Sequence, residues 1–249
     1  MERTLIQTYS KADTHLHSTC SDGLATPEEM VEYIAEETDL RVISVTDHDT
    51  VEGAYAARAH VERLGLDIDV IIGQEVTTDE GDIIGLFVHK TMAKFHTAQD
   101  AIDAIHAQGG LAIAVHPFSY WPTFRQMLGV GRRITSLPLD GVEVRNGFPT
   151  NWLSNWYTAY LNRRGPCLSE LGGSDSHVPY TVGQAHTLFA GTCAQELRIA
   201  IETGRTIAAG SMWRASNLAR TALMILRHGY PSMEDKHPRS YEIERRLRR

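Results

Sequence analysis

The sequence has few cysteines, no long apolar run and no excess of basic residues. Its three cysteines, Cys20, Cys167 and Cys193, lie far apart among 249 residues and form no C-x-x-C pair, which argues against a disulfide framework or a zinc knuckle. The first residues, MERTLIQTYSKADTH, lack a basic segment followed by an apolar stretch, and no apolar run approaches the length of a membrane span. We therefore expect a cytoplasmic protein that is neither exported nor inserted into a membrane.

The charge balance restricts the partners that the chain can bind. It carries 24 Lys and Arg against 31 Asp and Glu, a formal net charge of −7. A protein of this charge repels the phosphate backbone of a long nucleic acid. We expect no long duplex as a partner, and any polyanion must be bound by a local group of cations.

The order of segments along the chain predicts an α/β fold. Hydrophobic residues make up 42% of the sequence, enough for a sizeable core. Apolar runs rich in β-formers alternate with segments of helical period, which is typical of βαβ units and a parallel sheet. The predicted strands are 41–46, 68–77, 83–88, 111–115, 141–145 and 186–190, and the predicted helices are 26–37, 51–64, 98–108, 152–163 and 194–203.

The helix boundaries and the ends of the chain complete this outline. Thr26, Pro27 and Glu29 form a capping box at the start of the first helix. The long connection 117–138 is rich in aromatic residues and arginine, which is typical of a functional lid. We predict one domain over residues 1–249, with a core from about 10 to 210 and a helical, then basic tail from about 217 to 249.

Histidines and acids occur in short islands that mostly close runs of β-formers. A strand end aims a side chain reproducibly, and the carboxyl ends of parallel strands meet at one edge. Imidazole mixed with carboxylate suits zinc, manganese or iron. The islands are ADTHLH (12–17), ISVTDHD (43–49), VIIGQE (70–75), LAIAVH (111–116) and GGSDSH (172–177), and together they predict a polynuclear metal site.

The first two islands offer ligands that also have simpler explanations. His15 and His17 lie two residues apart, so on a strand both rings point to one face, although twelve histidines make such pairs common by chance. Asp22 follows in a turn that can bring the chain back to the same place. His48 ends an apolar strand and is the expected ligand of its island, with Asp47 orienting it; Asp49 or Thr50 would cap the next helix.

The last three islands also offer ligand residues, some of which have simpler explanations. An unpaired carboxylate at Glu75, after so apolar a run, is costly to bury unless a cation meets it, and bridging two metals would satisfy both oxygens. His116 closes a strand and precedes Pro117, which we expect to force an extended backbone there and to fix the direction of the ring; the alternative is a core histidine with its own partner. Asp175 and His177 repeat the two-residue spacing of the first island, and a plain turn would explain Asp175 but not His177.

Taken in order, these motifs resemble those of a known superfamily. The series H-x-H, D, T-D-H-D, G-x-E, H-P and G-S-D-x-H resembles the PHP phosphoesterases, the polymerase and histidinol phosphatase superfamily. The resemblance runs from about Ala12 to His177, with a weaker likeness through AQELRIAIETGRT. It implies a distorted, TIM-like (β/α)7 barrel with two or three divalent metals at the carboxyl ends of the strands.

The resemblance also implies a ligand set, with three possible metal positions. One metal would be held by His15, His17, Glu75 and Asp175, a second by Asp22, His48 and His177, and a third in part by Glu75 and His116. Trinuclear members of the superfamily carry a further histidine where this chain has Asp82 in GDIIGL. Asp82 is then either a substitute oxygen ligand or a sign that the third site is weak or missing.

The expected activity is that of a phosphoric ester hydrolase. Two cations would lower the pKa of a water that attacks phosphorus in line and would neutralise the phosphoryl oxygens. The leaving group would be protonated by a metal-bound water or by a nearby histidine, for which His48 and His177 are the candidates. Arg145, Arg125 and Arg133 are candidates to bind the substrate phosphate, or they pair with surface acids.

Several readings of the activity stay open. We expect a phosphatase acting on small phosphorylated metabolites or nucleotides. The alternatives are an exonuclease or oligonucleotide phosphodiesterase of the same superfamily, a metal-dependent amide or ester hydrolase of another barrel superfamily, and a binding module with a degenerate site.

Overall fold

The computed structural model describes residues 9–119 and 128–228, and its strands fall into two five-stranded sheets. The first sheet has the order β10-β9-β1-β2-β3 and the second has the order β4-β5-β6-β7-β8. The strands are β1 Tyr9–Leu16, β2 Leu40–Val45, β3 Asp69–Val70, β4 Gly73–Val76, β5 Ile83–Leu86, β6 Leu111–Ala114, β7 Gly141–Asn146, β8 Ser169–Gly173, β9 Ala185–Ala190 and β10 Ile207–Gly210.

Six helices connect these strands within the described residues. They are α1 Pro27–Glu37, α2 Glu52–Leu64, α3 Ala98–Ala107, α4 Trp152–Arg164, α5 Ala194–Glu202 and α6 Ala215–His228. The first five match the predicted segments to within one or two residues. Thr26 accepts a hydrogen bond from the Glu29 N–H while the Glu29 side chain caps Thr26, so the predicted capping box is present. No described helix is long and apolar enough to cross a membrane.

The expected (β/α)7 barrel is wrong, because both sheets are mixed. β1 and β10 pair antiparallel with β9, and β5 pairs antiparallel with both β4 and β6. The connection from β4 to β5, residues 77–82, is too short for the crossover that a parallel pair requires. The predicted strand 68–77 is in fact two strands, because the chain passes from the first sheet to the second at Ile71 and Ile72.

The two sheets meet at the ends of four strands. A parallel bridge joins Leu16, at the end of β1, to Ser176, which follows β8. A second bridge joins His48, which follows β2, to Glu75 in β4. We call this junction the seam; it brings together side chains from both sheets.

Two clusters of buried apolar side chains support the seam. Ile34 of α1, Ile43 of β2 and Ile102 of α3 are almost fully buried in the larger cluster. Phe189 of β9 anchors a second cluster that lies against Leu197 of α5. Full burial of such side chains contributes about 1.5–3 kcal/mol each, so the strand ends that form the seam stand on a rigid base.

Candidate metal centre

Eight predicted ligand side chains gather at the seam, and each lies at or just beyond the end of a strand. The β1 end supplies the first two histidines, and the turn after it supplies Asp22. The ends of β2, β4 and β6 each add one residue, and the segment after β8 adds two. The eight are His15, His17, Asp22, His48, Glu75, His116, Asp175 and His177.

Four of these residues form the buried centre of the cluster. One oxygen of Glu75 lies 3.2 Å from His15 Nε2 and 3.1 Å from His17 Nε2. Asp175 Oδ1 lies 3.5 Å from each of the same two nitrogens. Two imidazole nitrogens and two carboxylate oxygens therefore converge on one volume, as the predicted first metal position requires.

A second group lies at the more exposed edge. Asp22 Oδ2 is 3.3 Å from His177 Nε2 and 3.8 Å from His48 Nε2, and Asp22 Oδ1 is 3.4 Å from His17 Nδ1. The side chains of His48 and His177 are 15% and 17% exposed, whereas those of His15 and His17 are 1% exposed. Solvent therefore reaches the cluster from the Asp22 edge.

A third group includes the residue that departs from the expected histidine. Ligand atoms of Glu75, Asp82 and His116 lie within 4.8 Å of one another. Glu75 Oε1 is 3.2 Å from His116 Nε2. Asp82 is buried and supplies a carboxylate where a histidine was expected, so the third position has an oxygen ligand available.

The charges in the cluster strongly perturb one another. Burial raises the pKa of Asp82 well above its usual value, and the nearby Glu75 raises it further. Burial would also raise the pKa of Asp175, but the rings of His15 and its neighbours lower it. Burial, together with the neighbouring His17 and His177, lowers the pKa of His48 below its usual value, although Glu75 and Asp22 oppose the change. Perturbed groups concentrated at one opening are typical of a functional site.

Some buried polar atoms of the cluster lack a hydrogen-bond partner, and they indicate whether divalent cations would fit here. Among the described residues, four buried cluster atoms have no hydrogen-bond partner: Nδ1 of His17, His48 and His116, and Oδ2 of Asp82. Each such atom costs about 1–3 kcal/mol when nothing meets it. Imidazole and carboxylate donors crowded at 3.1–3.8 Å match the ligand preferences of manganese, iron and zinc. The residues present therefore fit a group of divalent cations.

Sequence reasoning missed Glu143, a buried acid on β7. Its Oε1 lies 3.1 Å from His15 Nδ1, the ring nitrogen that faces away from Glu75. Its Oε2 accepts hydrogen bonds from the His116 N–H at 3.1 Å and from Asn146 Nδ2 at 2.8 Å. A carboxylate on the far nitrogen of a ligand histidine fixes its tautomer and leaves the other nitrogen free for a metal.

A β-bulge explains why Glu143 and Asn146, and not Arg145, face the cluster. The register of β7 against β8 shifts between Glu143 and Arg145, so the alternation of sides is broken there. Asn146 Nδ2 consequently lies 3.1 Å from Asp175 Oδ2. Arg145 is exposed, and its guanidinium donates to the Gly210 carbonyl oxygen at 3.3 Å.

The other two predicted phosphate-binding arginines are also not brought to the cluster by a described contact. Arg133 lies 3.1 Å from a carboxylate oxygen of Glu80, as a surface ion pair. Arg125 lies outside the described residues, as does the middle of the long connection in which it occurs.

Two buried aspartates hold the ligand-bearing segments together. Asp13 accepts hydrogen bonds from the backbone N–H groups of Ser174 at 3.0 Å and Gly183 at 2.8 Å, which ties β1 to the segment that carries Asp175. Asp47 accepts from the Ser18 N–H at 2.7 Å and from the Ser21 hydroxyl at 2.6 Å. Asp47 therefore orients the turn that carries Asp22. The sequence had suggested that Asp47 would orient its neighbour His48 instead.

Two ligands sit in a backbone conformation that side chains rarely adopt. His116 has φ of 30° and Asp175 has φ of 52°. Pro117 was expected to force an extended backbone at His116. Instead, the His116 N–H donates to Glu143 and the Ser119 N–H donates to the His116 carbonyl oxygen, and these two bonds hold His116 at positive φ. Such strain is typically stored at functional sites.

Comparison with known proteins places this geometry in context. The model of the PHP domain family matches residues 13–202. An uncharacterised protein of Methanocaldococcus jannaschii is 35% identical over 156 residues, which are 58% of this chain and 86% of the relative. The 5'-3' exoribonuclease Rnm of Salmonella typhimurium is 39% identical over 94 residues, which are 35% of this chain and only 32% of that enzyme.

Solved structures share the fold at low identity. A two-domain Bacteroides vulgatus protein containing a predicted PHP-like metal-dependent phosphoesterase superposes with a TM-score of 0.64 and 22% identity, covering 87% of this chain and 70% of the other. Endonuclease Q, in complex with a 27-mer duplex that carries an abasic lesion, gives a TM-score of 0.57 and 11% identity, covering 92% and 71%. A protein of this fold binds a duplex, which counts against the expectation that a long duplex is excluded as a partner.

Proposed function

The chain belongs to the PHP domain family, and from that premise we propose that it is a metal-dependent phosphoesterase that works at the seam. One observation carries the proposal: side chains from the ends of β1, β2, β4 and β6 and the segment after β8 converge, with nitrogen and oxygen atoms 3.1–3.8 Å apart. An ion-pair network that only stabilises the fold does not require so many histidines and acids in one place, whereas a metal site does.

The ligand roles follow the three groups. His15, His17, Glu75 and Asp175 would hold one divalent cation; Asp22, His48 and His177 would hold a second; Glu75, Asp82 and His116 would hold a third. Such cations lower the pKa of water and neutralise developing negative charge on phosphoryl oxygens.

The chain itself contributes orientation and proton transfer. Glu143 keeps the proton on His15 Nδ1, so that Nε2 presents a lone pair to the centre. His48 and His177 stand at the solvent-facing edge, and whichever of the two rings does not bind the second cation would hold a proton close to a departing alkoxide. Asp22 lies between the two rings and orients both.

The first substrate class that we propose is small phosphomonoesters, including nucleotides. The Asp22 edge is open to solvent and lined by groups that bind cations, which suits a compact anionic substrate. The second class is phosphodiester ends of oligonucleotides, and the match to exoribonuclease Rnm over 94 residues favours it.

The test joins turnover to metal content. Manganese-supplemented protein should release phosphate from an aryl phosphate, or the aryl alcohol from a bis-aryl phosphate, and chelation should abolish this. His15→Ala and Asp175→Ala should abolish turnover and lower the metal content measured by elemental analysis, because each removes a buried ligand. His96→Ala is the matched control, since His96 is an exposed histidine paired with Asp79.

Two results would contradict the proposal. One is a content below about one metal per chain after supplemented expression, since so many buried ligands need cations between them. The other is chelator-resistant cleavage of amides or carboxylic esters, which would support a hydrolase of another class.

A further inference from the structure

The outer face of α4 carries a row of exposed aromatic rings, and no contact among the described residues covers it. Trp152, Trp156 and Tyr160 follow one another at intervals of four residues and are 58%, 66% and 41% exposed. Ser154 and Thr158, on the opposite side of the helix, are buried. Single exposed apolar residues are ordinary, but a contiguous row of large rings marks a binding surface.

The rings of Trp156 and Tyr157 each lie nearly parallel to the ring of Tyr160. The Trp156 and Tyr160 rings have centroids 5.9 Å apart and planes inclined by 15°. The Tyr157 and Tyr160 rings have centroids 6.5 Å apart and planes inclined by 13°. The helix thus presents a series of similarly oriented aromatic faces, and flat conjugated rings are the natural complement of such faces.

The same region is positive in a chain that is negative as a whole. Residues 144–169 contain no acid, and the described part of the wider segment 104–169 contains five arginines but only two acids, Asp140 and Glu143. Arg132 donates to the Tyr157 hydroxyl at 3.0 Å, and the guanidinium of Arg164 lies 4.9 Å from the centre of the Tyr160 ring. Neither arginine has an acidic partner among the described residues.

The row is coupled to the metal centre at its amino-terminal end. Asn151, the residue before Trp152, donates to Asn146 Oδ1 at 2.8 Å, and Asn146 Nδ2 in turn contacts Asp175. On the other side, Phe118, two residues after His116, packs its ring edge against Tyr157 and donates its N–H to Ser154. A ligand lying along α4 therefore ends beside residues that hold the cluster.

We infer that the outer face of α4 binds single-stranded nucleic acid and leads it to the metal centre. Bases stack on Trp152, Trp156 and Tyr160, while backbone phosphates lie beside Arg132 and Arg164. The inference rests on the proposed phosphoesterase activity and assigns it a substrate class. Stacking needs unpaired bases, so a single strand fits this face better than a duplex.

A second copy of the chain fits the face less well. A symmetric dimer would place the same face against itself, and each arginine would approach the arginines of the other copy. Among the described residues neither Arg132 nor Arg164 has an acidic partner, so the face does not neutralise these two charges itself. A polyanion with flat rings would both neutralise the arginines and stack on the aromatic side chains.

The experiment measures binding and turnover separately. A fluorescein-labelled oligothymidylate of about ten nucleotides, with phosphorothioate linkages that slow cleavage, is titrated with manganese-loaded protein and followed by anisotropy. Trp156→Ala should weaken binding about tenfold, the loss expected for one stacked base, and Trp156→Phe should retain most of the affinity. The matched control is Tyr9→Ala, which removes a 49% exposed aromatic ring at the distant start of β1 and should bind as wild type.

Turnover distinguishes failure of this inference from failure of the proposed function. Trp156→Ala should lose at least about fivefold more kcat/KM on an oligonucleotide than on a small aryl phosphate, which is too short to reach α4. A wild type that leaves both the aryl phosphate and the bis-aryl phosphate intact would overturn the proposed activity, whereas tryptophan-dependent binding would still support the binding face.

Three results would overturn the inference itself. They are unchanged oligonucleotide affinity in Trp152→Ala and Trp156→Ala, equal competition by a duplex of the same length, and a wild-type dimer in solution that Trp156→Ala converts to a monomer.

Discussion

Replacing Glu143 by glutamine would change one buried charge at the seam without changing the volume of the side chain. The amide oxygen can replace Oε2, which accepts from the His116 N–H and from Asn146 Nδ2. The amide NH2 then faces His15 Nδ1, where Glu143 Oε1 stood. Because an amide nitrogen only donates, His15 must accept at Nδ1 and carry its proton on Nε2. The nitrogen that faces Glu75 and Asp175 is then unable to bind a cation.

The structure sets the size of the expected effect. Packing and two of the three hydrogen bonds to residue 143 are retained, so the free energy of unfolding of the metal-free protein should change by less than about 1 kcal/mol. The wrong tautomer of one ligand should weaken the metal bound by His15 about 10- to 100-fold, equal to about 1.4–2.7 kcal/mol. Turnover at limiting manganese should fall by a similar factor and recover in part as manganese is raised.

The assay is competition between the protein and a fluorescent chelator, with thermal unfolding of the metal-free protein as a measure of folding. Glu170→Gln is the matched control, because Glu170 lies on the neighbouring strand β8 and pairs with Arg163 at the surface. Manganese affinity in Glu143→Gln equal to that of Glu170→Gln would refute the argument. So would a loss of turnover that manganese does not relieve, since the carboxylate would then act in the reaction and not through His15.

Three further outcomes follow from the contacts. Chelation should lower the melting temperature, and manganese should restore it, because a cation at 100 times its dissociation constant stabilises the fold by about 2.7 kcal/mol per site; an unchanged melting temperature would contradict metal binding at the seam. Arg145→Ala should bind metal as the wild type does and should change kcat/KM on small substrates less than about threefold, because its guanidinium binds the Gly210 carbonyl oxygen. A larger loss of kcat/KM at normal metal content would show that Arg145 binds the substrate phosphate. Asp13→Asn should destabilise the fold by about 2–4 kcal/mol in chemical denaturation, because one amide NH2 must face an N–H of Ser174 or Gly183; wild-type stability would show that these bonds do not hold β1 to the Asp175 segment.

Much of the candidate centre could be predicted because its residues interrupt apolar runs. Glu75 and His116 each end such a run, where an unpaired polar side chain is costly, and the structure brings both to the seam. The helices were predictable for a similar local reason, as the capping box at Thr26 shows.

Strand direction and the sides of β7 could not be predicted in this way. Hydrophobic periodicity is the same for a parallel and an antiparallel strand, so the pairing of β1 with β9 has no local signal. The alternation in GVEVRN places Glu143 and Arg145 on one face, and only the bulge separates them. One signal for Glu143 was available: a lone acid in an otherwise apolar strand needs a partner, as it does at Glu75.

The distances along the chain between partners at the seam determine when the centre can form during folding. The contact between Asp22 and His177 spans 155 residues, and the hydrogen bond from Gly183 to Asp13 spans 170. Loops of this length close late, and folds built on them assemble slowly. A growing polypeptide therefore has no complete centre until residue 183 has left the ribosome. Binding of a cation by the full set of side chains therefore follows synthesis of this last segment. A chain that stops before β8 carries most of the cluster's histidines but lacks Asp175 and His177.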